Sequence, residues 1–112
     1  MQLSVLKELV ELKVVKSEFV EDYLQVWFED GECLNVYNKY QLTDFDGRPH
    51  SHPDLTGATL SGVRDDARFI ILGFSNGIEL SIDMSEDGYL GPEALQLTRP
   101  GLPPVVWRPD EV

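Results

Sequence analysis

The chain has 112 residues, 42% of them apolar and 26% charged, with a formal net charge of -11 from 20 acids against 9 bases. That length and apolar content suit one domain, residues 1–112, with a core of its own, and argue against extended disorder. The acids are spread evenly, 11 against 5 bases up to residue 56 and 9 against 4 beyond it, so no basic patch exists to contact nucleic-acid phosphates. Mutual repulsion that keeps molecules soluble is the plainer account of this charge. Steering towards a basic partner is the sharper one.

Cys33 is the one cysteine, which rules out an intramolecular disulfide and fits a reducing compartment. The start, Met1-Gln2-Leu3-Ser4, lacks the basic and apolar regions of a signal peptide, and no stretch approaches the length of a transmembrane helix. A cytoplasmic protein with no membrane partner is expected.

In chain order, Leu3, Leu6, Leu9 and Val10 follow helical spacing, with Ser4 as N-cap, and predict a short N-terminal helix. A strand is expected around Leu12 to Lys16. Leu24, Val26 and Phe28 then alternate before Asp30-Gly31, and Leu34 and Val36 alternate after it, which is hairpin grammar. A two-residue loop would set apolar positions opposite polar ones. A three-residue loop, Glu29-Asp30-Gly31, pairs Val26 with Leu34 and Leu24 with Val36, and needs glycine in the left-handed position of a G1 bulge. Tyr40 to Leu55, rich in Asp, Gly and Pro, reads as a connector.

The pattern then recurs at an offset of 46 residues without gaps. Leu9 falls on Leu55, Val14 on Leu60, Tyr23 on Phe69, Phe28 on Phe74, Gly31 on Gly77, Leu34 on Leu80 and Val36 on Ile82. Residues 9–38 and 55–84 therefore read as a duplicated unit. The second copy has its own upstream strand, around Ala58 to Val63, and its own loop, Ser75-Asn76-Gly77. Ala94 to Leu97 and Val105 to Trp107 add C-terminal strands within 94–107, the last held to a sheet edge by Pro103, Pro104 and Pro109. The expected fold is mainly β with a short N-terminal helix, two repeated three-stranded meanders forming a compact sandwich or a half-open barrel.

Candidate chemistry is thin. His50 and His52, flanked by Asp46 and Asp54, form a His-x-His pair, but a closed metal site needs more ligands than this loop offers. Cys33 follows a turn crowded by Glu29, Asp30 and Glu32, and nearby acids make a thiolate scarce. Glu21-Asp22, Glu29-Asp30, Asp65-Asp66 and Glu86-Asp87 are the adjacency expected among so many acids. Asp83, Glu86 and Asp87 lack the alternating ligand spacing of an EF-hand loop. No catalytic residue, cofactor site or metal site is therefore assigned, and the chain is not expected to be an enzyme.

The two copies differ on one face. Tyr23, Gln25 and Trp27 share the outer face of the first hairpin with Cys33, Asn35 and Tyr37, where the second has Phe69, Ile71, Gly73, Glu79, Ser81 and Asp83. Either the helix or the Val105–Trp107 segment covers this aromatic face, or a partner does. Tyr23, Trp27 and Tyr37, with Glu29 and Glu32 as acidic rim, are the candidate partner-binding residues.

The run Leu24-x-Val26-x-Phe28-x-Asp30-Gly31-x-x-Leu34-x-Val36-Tyr37-Asn38, with Tyr89-x-Gly91-Pro92-Glu93-Ala94, resembles a type of small, acidic, uncharacterised bacterial protein. Some proteins of this kind resemble immunity proteins of bacterial toxin systems. The resemblance implies a non-enzymatic domain that binds and blocks a protein, here a basic one. A small-ligand-binding or catalytic β-barrel and a self-associating structural protein, such as a homodimer, are the alternatives.

Overall fold

The computed structural model describes residues 3–44, 46–49, 55–66 and 68–108. Its elements are α1 (Ser4–Lys7), β1 (Val14–Val20), β2 (Tyr23–Phe28), β3 (Cys33–Val36), β4 (Tyr40–Thr43), β5 (Leu60–Asp66), β6 (Phe69–Phe74), β7 (Glu79–Asp83), a 3-10 turn (Glu86–Gly88), β8 (Leu95–Thr98) and β9 (Val105–Trp107). They form two antiparallel sheets, ordered β1-β2-β3-β8-β9 and β4-β7-β6-β5. Neither sheet closes into a barrel. Their inward side chains meet in one core, with Leu24, Val26, Leu34, Val36, Leu95 and Leu97 from one sheet and Leu60, Ile70, Leu72, Leu80 and Ile82 from the other.

Both hairpins take the expected register. Val26 faces Leu34 and Leu24 faces Val36, while Leu72 faces Leu80 and Ile70 faces Ile82. The loops span three residues, closed by Phe28 N–H to Glu32 O and by Phe74 N–H to Ile78 O, each at 2.9 Å. Gly31 and Gly77 have φ of 91° and 86°, the left-handed conformation the bulge requires.

The duplication reaches further than the hairpins. β1 and β5 begin and end at equivalent residues, and each carries a register shift at its first step, between Val14 and Lys16 and between Leu60 and Gly62. The two copies meet at a bridge between equivalent residues, Lys13 and Thr59. Val14 N–H donates to Ala58 O at 2.8 Å and Leu60 N–H to Leu12 O at 3.0 Å. Glu11 N–H donates to Leu60 O and Gly57 N–H to Val14 O, at 2.7 and 2.8 Å. Every bond has its counterpart with the copies interchanged, so an approximate two-fold axis passes through this bridge.

The same symmetry governs β4 and β8, and here the expected connector is corrected. Tyr40–Thr43 is a strand, not loop. It leaves the first copy and pairs with β7 of the second, while β8 leaves the second copy and pairs with β3 of the first. Thr43 faces Glu79 and Leu42 faces Leu80, just as Thr98 faces Cys33 and Leu97 faces Leu34. Each copy thus completes the sheet of the other. The exchanged strands read Tyr-Gln-Leu-Thr and Leu-Gln-Leu-Thr. Their offset is 55 rather than 46 because the path from Ile82 to β8 is nine residues longer than that from the equivalent Val36 to β4, so a gapless comparison misses them.

At the crossing, Tyr37 N–H donates to Ala94 O and Asp83 N–H to Lys39 O, both at 2.9 Å. The buried amide of Asn38 donates to Asp83 O at 2.7 Å, which satisfies a backbone carbonyl where the two connections pass. Gly88 lies against the same point. A β-carbon there would overlap the Asp83 carbonyl oxygen, so only glycine fits.

The N-terminal helix is a single turn, with Leu3 rather than Ser4 as N-cap and no side-chain capping bond. So short a helix is not stable by itself; burial of Leu6, and of Leu9 just beyond it, holds it in place. β9 is an edge strand as expected, and it anchors through Trp107, which is 2% exposed in the core. β1 and β5 begin and end two to four residues later than the sequence suggests.

The symmetry exposes one local conflict. Gly57, with φ of 89°, is matched in the first copy by Glu11, with φ of 80°. A left-handed non-glycine residue costs roughly 1–2 kcal/mol, partly offset by the backbone entropy glycine loses on folding. Glu11→Gly should therefore raise stability by up to about 1 kcal/mol in urea unfolding, and Gly57→Ala should lower it by about as much. Among the described residues, chain neighbours aside, no atom lies within 4 Å of a β-carbon added at Gly57, so that variant reads backbone conformation.

Candidate functional site

The outer face of the five-stranded sheet carries the candidate residues. Because directly opposed residues share a face, it runs from Lys16, Glu18 and Val20 on β1 through Trp27, Gln25 and Tyr23 on β2. It continues through Cys33, Asn35 and the adjoining Tyr37, then Thr98 and Gln96 on β8 and Val106 on β9. Tyr23, Trp27 and Tyr37 are all half-buried on it. Trp107 and Leu6 belong to the core on the other side of the sheet, so neither β9 nor α1 lies over this face.

A chain of polar contacts crosses the face. Trp27 Nε1–H donates to Gln25 Oε1 at 2.9 Å, and Gln25 Nε2–H to Asn35 Oδ1 at 3.1 Å. Asn35 Nδ2–H donates to the Tyr37 hydroxyl at 3.2 Å, which in turn donates to Gln96 Oε1 at 2.9 Å. The rings of Tyr23 and Tyr37 lie 5.2 Å apart, tilted by 56°. Three strands therefore fix the aromatic rings before any partner arrives, which lowers the ordering cost of binding. Burial pushes the Tyr23 phenol above its ordinary pKa, and neighbouring Tyr37, Glu21, Cys33 and Asp22 add to the effect.

The two acids read as rim take different places. Glu29 is exposed in the hairpin loop. Glu32 alternates to the opposite side from Cys33, at the place of buried Ile78, and its Oε1 is buried without a hydrogen-bond partner. The structure brings Asp22 and Glu93 to the face instead. With Tyr37, Leu90, Gly91 and Pro92 they line an open groove of about 250 Å³ at its edge. Leu90 is 64% exposed there. Gln96 and the Leu90–Glu93 wall were missed because they arrive through the strand exchange; the repeated Gln-Leu-Thr was the signal that places Gln96.

The equivalent face of the other sheet carries two ion pairs of its own. Arg64 spans to Glu79, Nη1 to Oε2 at 2.9 Å, beside Gly73 and over a face whose Ile71 is 6% exposed. Arg68 lies over the Phe69 ring at 5.2 Å, with its Nε 3.7 Å from Asp83. The Ser85 hydroxyl and backbone N–H, both donating to Asp83, hold that carboxyl below its ordinary value.

Cys33 is buried, and its thiol is 3.5 Å from Asn35 Oδ1. Burial pushes it up to about 11; the nearby acids invoked from the sequence are not the cause. His50, His52 and Asp54 lie outside the described residues. Among the described residues no group of three or more His, Cys, Asp or Glu is placed to hold a metal ion. No helix there is long and apolar enough to cross a membrane. No family model, curated protein or solved structure matches this chain.

With its pKa pushed up to about 11, the Cys33 thiol holds its proton in mildly alkaline buffer. A disulfide reagent should react at least about a hundredfold more slowly in the folded protein than in urea, as timed by thiolate release. The same shift works against the fold in alkali: stability present below the thiol's unfolded value, near 9, is lost as pH rises towards about 11.

Proposed function

We propose that this protein is a non-enzymatic binding domain, immunity-like in its mode of action, that docks a basic protein on the outer face of the five-stranded sheet. The observation that carries this reading is the contrast between two faces related by the approximate two-fold. One is covered by Arg64–Glu79 and Arg68–Asp83. The other has Lys16–Glu18 on its outer strand and presents Trp27 and Tyr37 held by a hydrogen-bonded row of amides, with Tyr23 packed on Tyr37.

Rigid, half-buried aromatic rings with polar tips are the side chains that dominate interface cores. The net charge of -11 speeds encounter with a basic surface and disfavours an acidic one. A cytoplasmic site of action suits the single unpaired cysteine.

The test is capture from the native host, followed by mass spectrometry, with the wild-type chain and with Trp27→Ala and Tyr37→Ala proteins shown to be folded. A basic protein retained by the wild type should bind each variant at least about tenfold more weakly, the loss typical of an interface anchor. Undiminished affinity in both variants would move the docking face elsewhere.

A further inference from the structure

The groove at the edge of the aromatic face has a counterpart in the other copy. At the offset of 46, Asp22 corresponds to Arg68, Tyr23 to Phe69 and Tyr37 to Asp83. In the second copy this trio holds a guanidinium: Arg68 lies over the Phe69 ring and pairs with Asp83. The corresponding cavity, about 210 Å³, is lined by Lys39 and Arg68 as well as Phe69 and Asp83. The first copy keeps an aromatic ring at Tyr23, has a second, Tyr37, at the place of Asp83, and puts a carboxylate, Asp22, where the second has the arginine. Glu93 adds a second carboxylate from the far wall.

We infer that the groove lined by Asp22, Tyr37, Leu90, Gly91, Pro92 and Glu93 receives an arginine side chain of the protein partner. This rests on the docking face proposed above and names the chemistry of its main anchor. Three features suit arginine. A guanidinium stacks on a tyrosine ring and forks onto carboxylates, whereas an ammonium is a more strongly hydrated point charge. The Tyr37 hydroxyl donates to Gln96 and accepts from Asn35, so its ring is already oriented. Leu90, 64% exposed on the groove wall, offers apolar contact to the arginine's methylene stem. The protein's own Arg108 pairs with Glu93 at 3.8 Å, with its side chain 46% exposed, so a guanidinium is a group this wall already accepts.

The test is amide chemical-shift mapping of the intact protein titrated with acetylated, amidated tetra-arginine at moderate salt, with tetra-lysine as comparison. Shifts should centre on Tyr23, Tyr37, Leu90, Gly91 and Glu93, and tetra-lysine should bind at least about threefold more weakly. Asp22→Asn with Glu93→Gln should weaken tetra-arginine at least about fivefold. Asp65→Asn with Asp66→Asn, an equal charge change on β5, should cost less than about twofold. Equal losses in the two double variants, shifts scattered over the acidic surface, or no binding would each overturn the inference. In the capture experiment, a partner lost by Trp27→Ala but kept by Asp22→Asn/Glu93→Gln would remove the arginine anchor and leave the docking face standing.

Discussion

The constraint on which the rest of this structure depends is the reciprocal exchange of β4 and β8. Each three-stranded meander presents a free edge, at β3 or β7, and each edge is paired by a strand that the other copy supplies. An unpaired edge strand leaves a row of backbone donors and acceptors exposed and invites association. Here the chain meets that demand internally. The second link, the Lys13–Thr59 bridge with its symmetric hydrogen bonds, ties the first strands of the copies together. The core therefore belongs to both copies, with Leu95 and Leu97 carried into one sheet and Leu42 into the other by the exchange.

Symmetry separates what serves the scaffold from what does not. Inward positions other than Glu32 and its counterpart Ile78 agree between copies in register, burial and turn conformation, which is what packing one common core demands. Outward positions carry no such obligation, and there the copies diverge. The second copy sets arginines in ion pairs across its face; the first places tyrosines, a tryptophan and amides there, with the carboxylates of Glu18 and Asp22 at the places of Arg64 and Arg68. The strand exchange also builds the groove, since Glu93 and the Leu90 turn come from the second copy's connection to β8 and stand against Tyr37 of the first.

The hairpins were legible because alternation, register and the turn glycines all pointed to one solution, and Gly31 and Gly77 adopt it. The aromatic face was legible for the same reason: once register is known, Tyr23, Trp27 and Tyr37 must share a side. β4 was not legible, because Tyr40-Gln41-Leu42-Thr43 gains strand geometry from pairing with β7 rather than from local preference. The short helix was legible from the spacing of Leu3, Leu6 and Leu9; its N-cap was not, since Leu3 takes the place expected of Ser4. Glu32 looked like rim because it follows a turn, whereas its pairing with Phe28 turns it to the inner side of the sheet, as Ile78 is turned in the second copy. Asp22 and Glu93 lie far apart in sequence, and only the exchange of strands brings them to one groove.

Native-state hydrogen exchange tests the exchanged-strand architecture most directly. If each copy completes the other's sheet, the amides of Leu24, Val26 and Leu34 in the first copy must open together with those of Ile70, Leu72 and Leu80 in the second, at one free energy equal to that of global unfolding. Should either sheet exchange through a separate opening several kcal/mol below the other, the two copies would be independent units and this account of the fold would fail.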